Sequence, residues 1–68
     1  MQLSARNVLK GKVVDIRKGA VAAQVKIEVA GGDVLTSVIT VDALEALGLA
    51  VGDEASAVIK ASDVLLAR

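Results

Sequence analysis

Hydrophobic and polar residues alternate along most of this chain with the two-residue period of extended strands. The clearest case is residues 21–29, where Val21, Ala23, Val25, Ile27 and Val29 alternate with Ala22, Gln24, Lys26 and Glu28, as in a half-buried strand. Ahead of it, VLKGKVVDIR (8–17) sets Val8, Lys10, Lys12, Val14 and Ile16 on one face and Leu9, Val13 and Asp15 on the other. Neither face is cleanly polar, as expected of a strand in a barrel or an oligomer. Lys18-Gly19 reads as a turn between these two strands. Gly31-Gly32 reads as a hairpin turn, because glycine tolerates the positive φ of tight primed turns, and VLTSVIT (34–40) as the returning strand.

The pattern changes at DALEAL (42–47), where Ala and Leu favour helix and either Thr40 or Asp42 could cap its start. Asp42 and Glu45, three positions apart, resemble a capping box, and Gly48 is placed to end the helix in the left-handed conformation. Gly52-Asp53 then reads as a turn, ASAVIK (55–60) as a strand and VLLA (64–67) as a last short one. The result is an all-β chain: a small OB-like barrel of about five strands with one short helix. An up-and-down meander with a peripheral helix is the competing topology. Without linker, repeat or low-complexity segment, residues 1–68 read as a single domain.

Composition adds a constraint on assembly. Of the 68 residues 54% are hydrophobic, none is aromatic and none is cysteine or histidine. A domain this small buries only about 60% of its unfolded surface, too little to hide so much aliphatic side chain. Disulfides are excluded and a zinc-type cage is not expected, so association with other copies is the remaining support. No apolar stretch approaches the roughly 20 residues of a membrane span, and the N-terminus lacks a signal-peptide layout. The expected location is the cytoplasm, with no membrane partner.

Catalysis by nucleophile, acid-base pair or metal ion relies mostly on residues that are missing, and the eight carboxylates are scattered beside turns. Nothing pairs an acid with a base, so an enzyme is not expected. Eight basic residues balance eight acidic ones, leaving no global field for nucleic acid. Single-stranded nucleic acid also needs rings to stack on, and there are none. Backbone-only binding through Lys10, Lys12, Arg17 and Lys18 is the alternative: an OB-type interaction module for nucleic acid or protein.

Two polar tripeptides remain, Ser4-Ala5-Arg6 and Lys60-Ala61-Ser62. In extended chain, residues two apart point the same way, so each tripeptide offers one hydroxyl and one cation around an alanine small enough for close approach to the backbone. Arg donates in a fork, Lys supplies a point charge and Ser hydroxyls orient freely, a donor set suited to a tetrahedral dianion. The absence of an inward carboxylate favours an oxyanion that carries no proton at neutral pH. Asp63, in an extended chain, would point away from Ser62. By themselves these residues better suit the plainer reading of exposed charges and turn-satisfying serines.

SARNVLKGKVVDIRKGAV (4–21), GGD-x-LT-x-VIT (31–40), LEALGL (44–49) and AVIKASDVLLA (57–67) together resemble a molbindin, the free-standing form of a molybdate-binding domain also found in molybdate-responsive regulators and molybdate transporter ATPases. The resemblance covers essentially the whole chain. It implies intracellular storage or buffering of molybdate or tungstate at subunit interfaces of a homohexamer, a trimer of dimers, with the oxyanion as ligand and no cofactor or metal cation. Carried over by position, Ser4, Arg6, Lys60 and Ser62, with Ala61 between the last two, match the oxyanion ligands. Lys18-Gly19-Ala20 matches a segment presenting backbone amides from a neighbouring subunit, and Thr40 is a candidate for a second kind of interface site. The chain departs from the pattern at Ala22, where Asn is frequent, and at Asp63, where a second Ser is frequent.

Overall fold

The computed structural model describes residues 5–68. Strands β1 (Asn7–Lys18), β2 (Ala22–Val29) and β3 (Val34–Thr40) are followed by helix α1 (Val41–Leu47), strand β4 (Glu54–Ile59) and a 3₁₀ turn over Ala61–Asp63. All pairings are antiparallel and the strand order is β3-β2-β1-β4, in a sheet curled into an OB-like half-barrel. A meander is thereby ruled out: α1 carries the chain across, and β4 returns to the free side of β1 instead of extending the sheet beyond β3.

β1 serves two ladders. Asn7–Lys12 pair with β4, and Gly11–Lys18 pair with β2 apart from a register shift between Val13 and Asp15. Gly11 and Lys12 are thus paired on both sides. The shift is a bulge that leaves Val14 as an extra residue and changes the phase of the strand. Val13 is fully buried, Val14 is exposed, and Ile16 packs on the same core as Val13. Strict alternation had put Val13 and Ile16 on opposite faces; one inserted residue brings them to the same one. The main chain of Val13 is also tied to the turn before β4, donating to the Asp53 carbonyl at 2.8 Å and accepting from the Gly52 N–H at 2.8 Å.

Val13, Ala23, Val25, Ile27 and Leu44 form the buried core, with Ile39, Val41, Leu49 and others packed around it. Each of the Val, Ile and Leu side chains contributes about 1.5–3 kcal/mol on burial. Leu44, the buried residue of α1, fixes the helix against the open end of the sheet. The helix starts at Val41 because the Val41 N–H is still bonded to the Val21 carbonyl at 2.8 Å, which leaves Thr40 extended as the N-cap. The Thr40 hydroxyl accepts from the Ala43 N–H at 3.0 Å, so the cap lies two residues before Asp42 and the Asp42/Glu45 box does not form. Gly48 ends the helix at φ 63°. In the β2–β3 hairpin both Gly31 and Gly32 take φ 90°, as the turn signal required.

The predicted last strand over 64–67 is not formed. After the 3₁₀ turn, Val64–Arg68 has no regular structure, and the sheet has four strands where about five were expected. A strand exists only through its neighbour, and among the described residues this segment has none within its own chain.

Candidate functional site

The β1–β4 ladder ends on the pair Asn7↔Ile59. Arg6 and Lys60 are the next residues beyond that pair, so two cations far apart in sequence lie at the same end of the half-barrel. Asn7 secures the end of the ladder: its side-chain amide donates to the Ile59 carbonyl at 3.2 Å across the two strands, in a half-buried setting. Arg6, Lys60, Ala61 and Ser62 are all exposed there. Ser4, the remaining member of the predicted set, lies outside the described residues.

Lys60-Ala61-Ser62 is not extended. The Asp63 N–H bonds back to the Lys60 carbonyl at 2.8 Å, and the Val64 N–H to the Ala61 carbonyl at 3.3 Å, closing the 3₁₀ turn. The expectation that Lys60 and Ser62 share a strand face therefore fails, as does the one that Asp63 points away. With three residues per turn, Asp63 returns toward Lys60, and successive residues fan around the turn. The N–H groups of Ala61 and Ser62 open the turn and have no partner inside it. The place where Lys60, a small side chain and a hydroxyl come together is thus a turn set against the Arg6 end of β1.

Lys18, Gly19 and Ala20 occupy the β1–β2 connection, where the Gly19 N–H bonds to the Ala22 carbonyl at 2.8 Å. Thr40 pairs with Ala22 and lies at the same end. Its hydroxyl oxygen caps α1, and its hydroxyl hydrogen is left to donate outward. Twelve strand residues at roughly 3.3 Å each put the two ends of β1 on opposite sides of a body 33 × 26 × 25 Å. The predicted residues therefore form two clusters: Arg6, Lys60, Ala61 and Ser62 at one end, and Lys18, Gly19, Ala20 and Thr40 at the other. One copy of the chain does not bring them together.

The basic residues of β1 do not form an unbroken patch. Lys12 is flanked by Glu28 and Glu54 in the two ladders, Asp15 lies opposite Lys26, and Arg17 reaches the Asp15 carboxylate at 3.5 Å. This pattern weighs against a backbone-tracking nucleic-acid groove. Among the described residues no group of three His, Cys, Asp or Glu could hold a metal ion, and no helix is long and apolar enough to cross a membrane.

A family model for the TOBE domain matches residues 3–66. The chain belongs to the TOBE domain family. Among TOBE relatives, molybdenum-pterin-binding protein 3 of Clostridium pasteurianum is 54% identical over 66 residues, covering 97% of both chains. A molybdate-binding protein from Sporomusa ovata superposes with a TM-score of 0.92 or better, at 0.94, with 34% identity and full coverage of both chains. The cytoplasmic molybdate-binding protein ModG, solved with molybdate bound, gives a TM-score of 0.92 and 51% identity; the match covers 96% of this chain and 46% of that one. The molbindin resemblance of the sequence thus holds for this TOBE chain as a whole.

Sequence reasoning overlooked Asn7. It stood in the SARN motif, but its reach to the end of β4 depends on the pairing of two distant strands, which no local pattern announces.

Proposed function

We propose that this chain binds molybdate or tungstate reversibly and without chemical conversion, as a storage or buffering protein of the cytoplasm, residues 1–68 acting as one binding unit. The observation that carries the reading is the β1–β4 ladder, whose last pair Asn7↔Ile59 leaves Arg6 and Lys60 as the next residues at one end of the half-barrel, beside the Ala61–Asp63 turn. Relatives that align over nearly the whole chain are described as molybdenum-pterin-binding and molybdate-binding proteins. Arg6 and Lys60 supply two positive charges for a dianion, and Ser4, Ser62 and the turn amides supply neutral donors. Asp63, drawn toward Lys60 by the turn, lowers the affinity relative to a serine there, less so at high ionic strength.

Binding at interfaces of a homo-oligomer fits the separation of the two clusters, because the Lys18-Gly19-Ala20 amides of one copy can reach the Arg6 end of another. Exposed aliphatic side chains support association: Val21 is 75% and Val38 70% exposed, surface that another copy would cover. The hexameric trimer of dimers rests on the molbindin resemblance.

Calorimetric titration tests the reading. Molybdate and tungstate are expected to give saturable heat and phosphate a weaker response, because phosphate carries a proton at neutral pH and the donors of Arg6, Lys60, Ser62 and the turn amides offer its O–H no acceptor other than Asp63. No heat with either metal oxyanion would sink the proposal. Removing the Asn7 amide by Asn7→Ala is expected to weaken molybdate binding about tenfold, the worth of one well-placed hydrogen bond. The same variant should melt only a few degrees lower. An unchanged molybdate affinity would show that the clip on Ile59 does not position the site.

A further inference from the structure

Asp53 and Asp63 each close a turn on the residue three before. The Asp53 N–H bonds back to the Ala50 carbonyl at 3.0 Å, and the Asp53 carboxylate accepts from the Ala50 N–H at 2.9 Å. The Asp63 N–H bonds back to the Lys60 carbonyl in the same way, at 2.8 Å. The first turn shows that a carboxylate at this place lies on the side of the residue three before it, as expected where residues i and i+3 eclipse. The second turn differs in what the carboxylate does. Among the described residues Asp63 makes no ion pair and no side-chain hydrogen bond, and it is exposed together with Arg6, Lys60 and Ser62.

An uncommitted carboxylate beside two cations changes which anions that end of the half-barrel can hold. Arg6 and Lys60 only donate. Toward an oxyanion without a proton, Asp63 is a like charge and nothing more. Toward an oxyanion that keeps a proton it is a partner. The ligand O–H donates to the carboxylate in a charge-assisted bond of about 2.5–2.7 Å, while the other ligand oxygens accept from Arg6 and Lys60. Hydrogen phosphate and sulfate are tetrahedral dianions of nearly the same size, and only the first carries an O–H. Charge and shape treat the two alike, so an acceptor is what separates them.

We infer that Asp63 determines specificity in the anion site: its carboxylate accepts the O–H of protonated tetrahedral oxyanions, making the phosphate class a second ligand class and setting phosphate above sulfate. The inference rests on the anion-binding reading above and leaves molybdate as the tighter ligand. It gives Asp63 two effects of opposite sign. The same carboxylate that repels molybdate and sulfate holds the proton of phosphate.

Calorimetry with molybdate, phosphate and sulfate, at neutral pH and one ionic strength, tests this on wild type, Asp63→Ala and Asp63→Asn. Wild type is expected to hold phosphate about tenfold tighter than sulfate, the worth of one charge-assisted hydrogen bond. In Asp63→Ala the phosphate affinity should fall on the order of tenfold. Sulfate and molybdate should bind about two- to fivefold tighter in the same variant, because an exposed like charge is gone. Asp63→Asn keeps an acceptor oxygen without the charge and should restore part of the phosphate affinity. Both substitutions leave the main-chain bonds of the turn in place, so the variants are expected to melt close to wild type. A carboxylate acting by repulsion alone would make all three anions bind tighter in Asp63→Ala. That result, or equal wild-type affinities for phosphate and sulfate, would overturn the role of Asp63 and leave the molybdate reading standing. The expected phosphate and sulfate changes without any molybdate heat would remove the molybdate reading alone, and no heat with any anion would remove both.

Discussion

Gly11→Ala is expected to destabilise the protein by roughly 3 kcal/mol, lowering its melting temperature by about 12–24 °C at fixed protomer concentration. A Cβ at this position would lie 2.5 Å from the Glu28 carbonyl oxygen and 2.5 Å from Cγ2 of Ile27, where carbon atoms normally rest at about 3.5–4.0 Å. Neither neighbour can yield cheaply. Glu28 pairs with Lys12 on one side and Val34 on the other, so moving its main chain disturbs two ladders. Cγ2 of Ile27 branches directly from Cβ of a core side chain, so it cannot swing clear without giving up core contacts. Gly11 itself is paired with Val29 and Ala55 at once, which prevents β1 from stepping aside. Gly31→Ala provides the contrast: its Cβ would meet nothing within 4 Å, so its cost is only the backbone strain of positive φ, about 1–2 kcal/mol. Thermal melts of the two variants separate contact from strain, and a Gly11→Ala protein melting within two or three degrees of wild type would refute the steric account.

Arg6→Ala is expected to reduce molybdate affinity on the order of a hundredfold, the loss of charge-assisted bonds worth about 1.5–3 kcal/mol. Arg6 is exposed and precedes β1, so the same change should shift stability by less than about 0.5 kcal/mol. Arg6→Lys separates charge from shape: it keeps the cation but loses the planar fork, and an intermediate loss of about tenfold is expected. Calorimetry of the three proteins at one ionic strength makes the comparison. Equal affinity in wild type and Arg6→Ala would remove Arg6 from the site.

Much of the fold was legible because it is local. β3 has the bounds its alternation predicts, the Gly31-Gly32 turn lies where positive φ was needed, and Gly48 ends the helix. The departures are non-local. The bulge at Val14 arises just past the point where β1 leaves its ladder with β4, and a single strand's alternation does not reveal that. The strand expected over 64–67 has the right residues but lacks a neighbour. The extended reading of Lys60-Ala61-Ser62 failed because a run of three residues suits a 3₁₀ turn as well as a strand, and only the main-chain bonds of Asp63 and Val64 distinguish them. Of the candidate site, the choice of residues was legible and the grouping was not. Arg6 and Lys60 share one end of the half-barrel through a ladder between distant strands, whereas Lys18, Gly19, Ala20 and Thr40 lie a strand's length away. The cramped position of Gly11 likewise follows from two ladders overlapping at one residue.

In the proposed homo-oligomer, the placement of those two clusters at opposite ends of β1 would tie occupancy to assembly. If one anion is held by the Arg6 end of one copy and the Gly19 end of the next, the ligand acts as mortar between them, and thermodynamic reciprocity follows. Whatever factor assembly contributes to retention of the anion, the anion returns to cohesion of the assembly. Dilution would then drive release, and a cell that lowered the concentration of this protein would discharge its store without any change in the site itself.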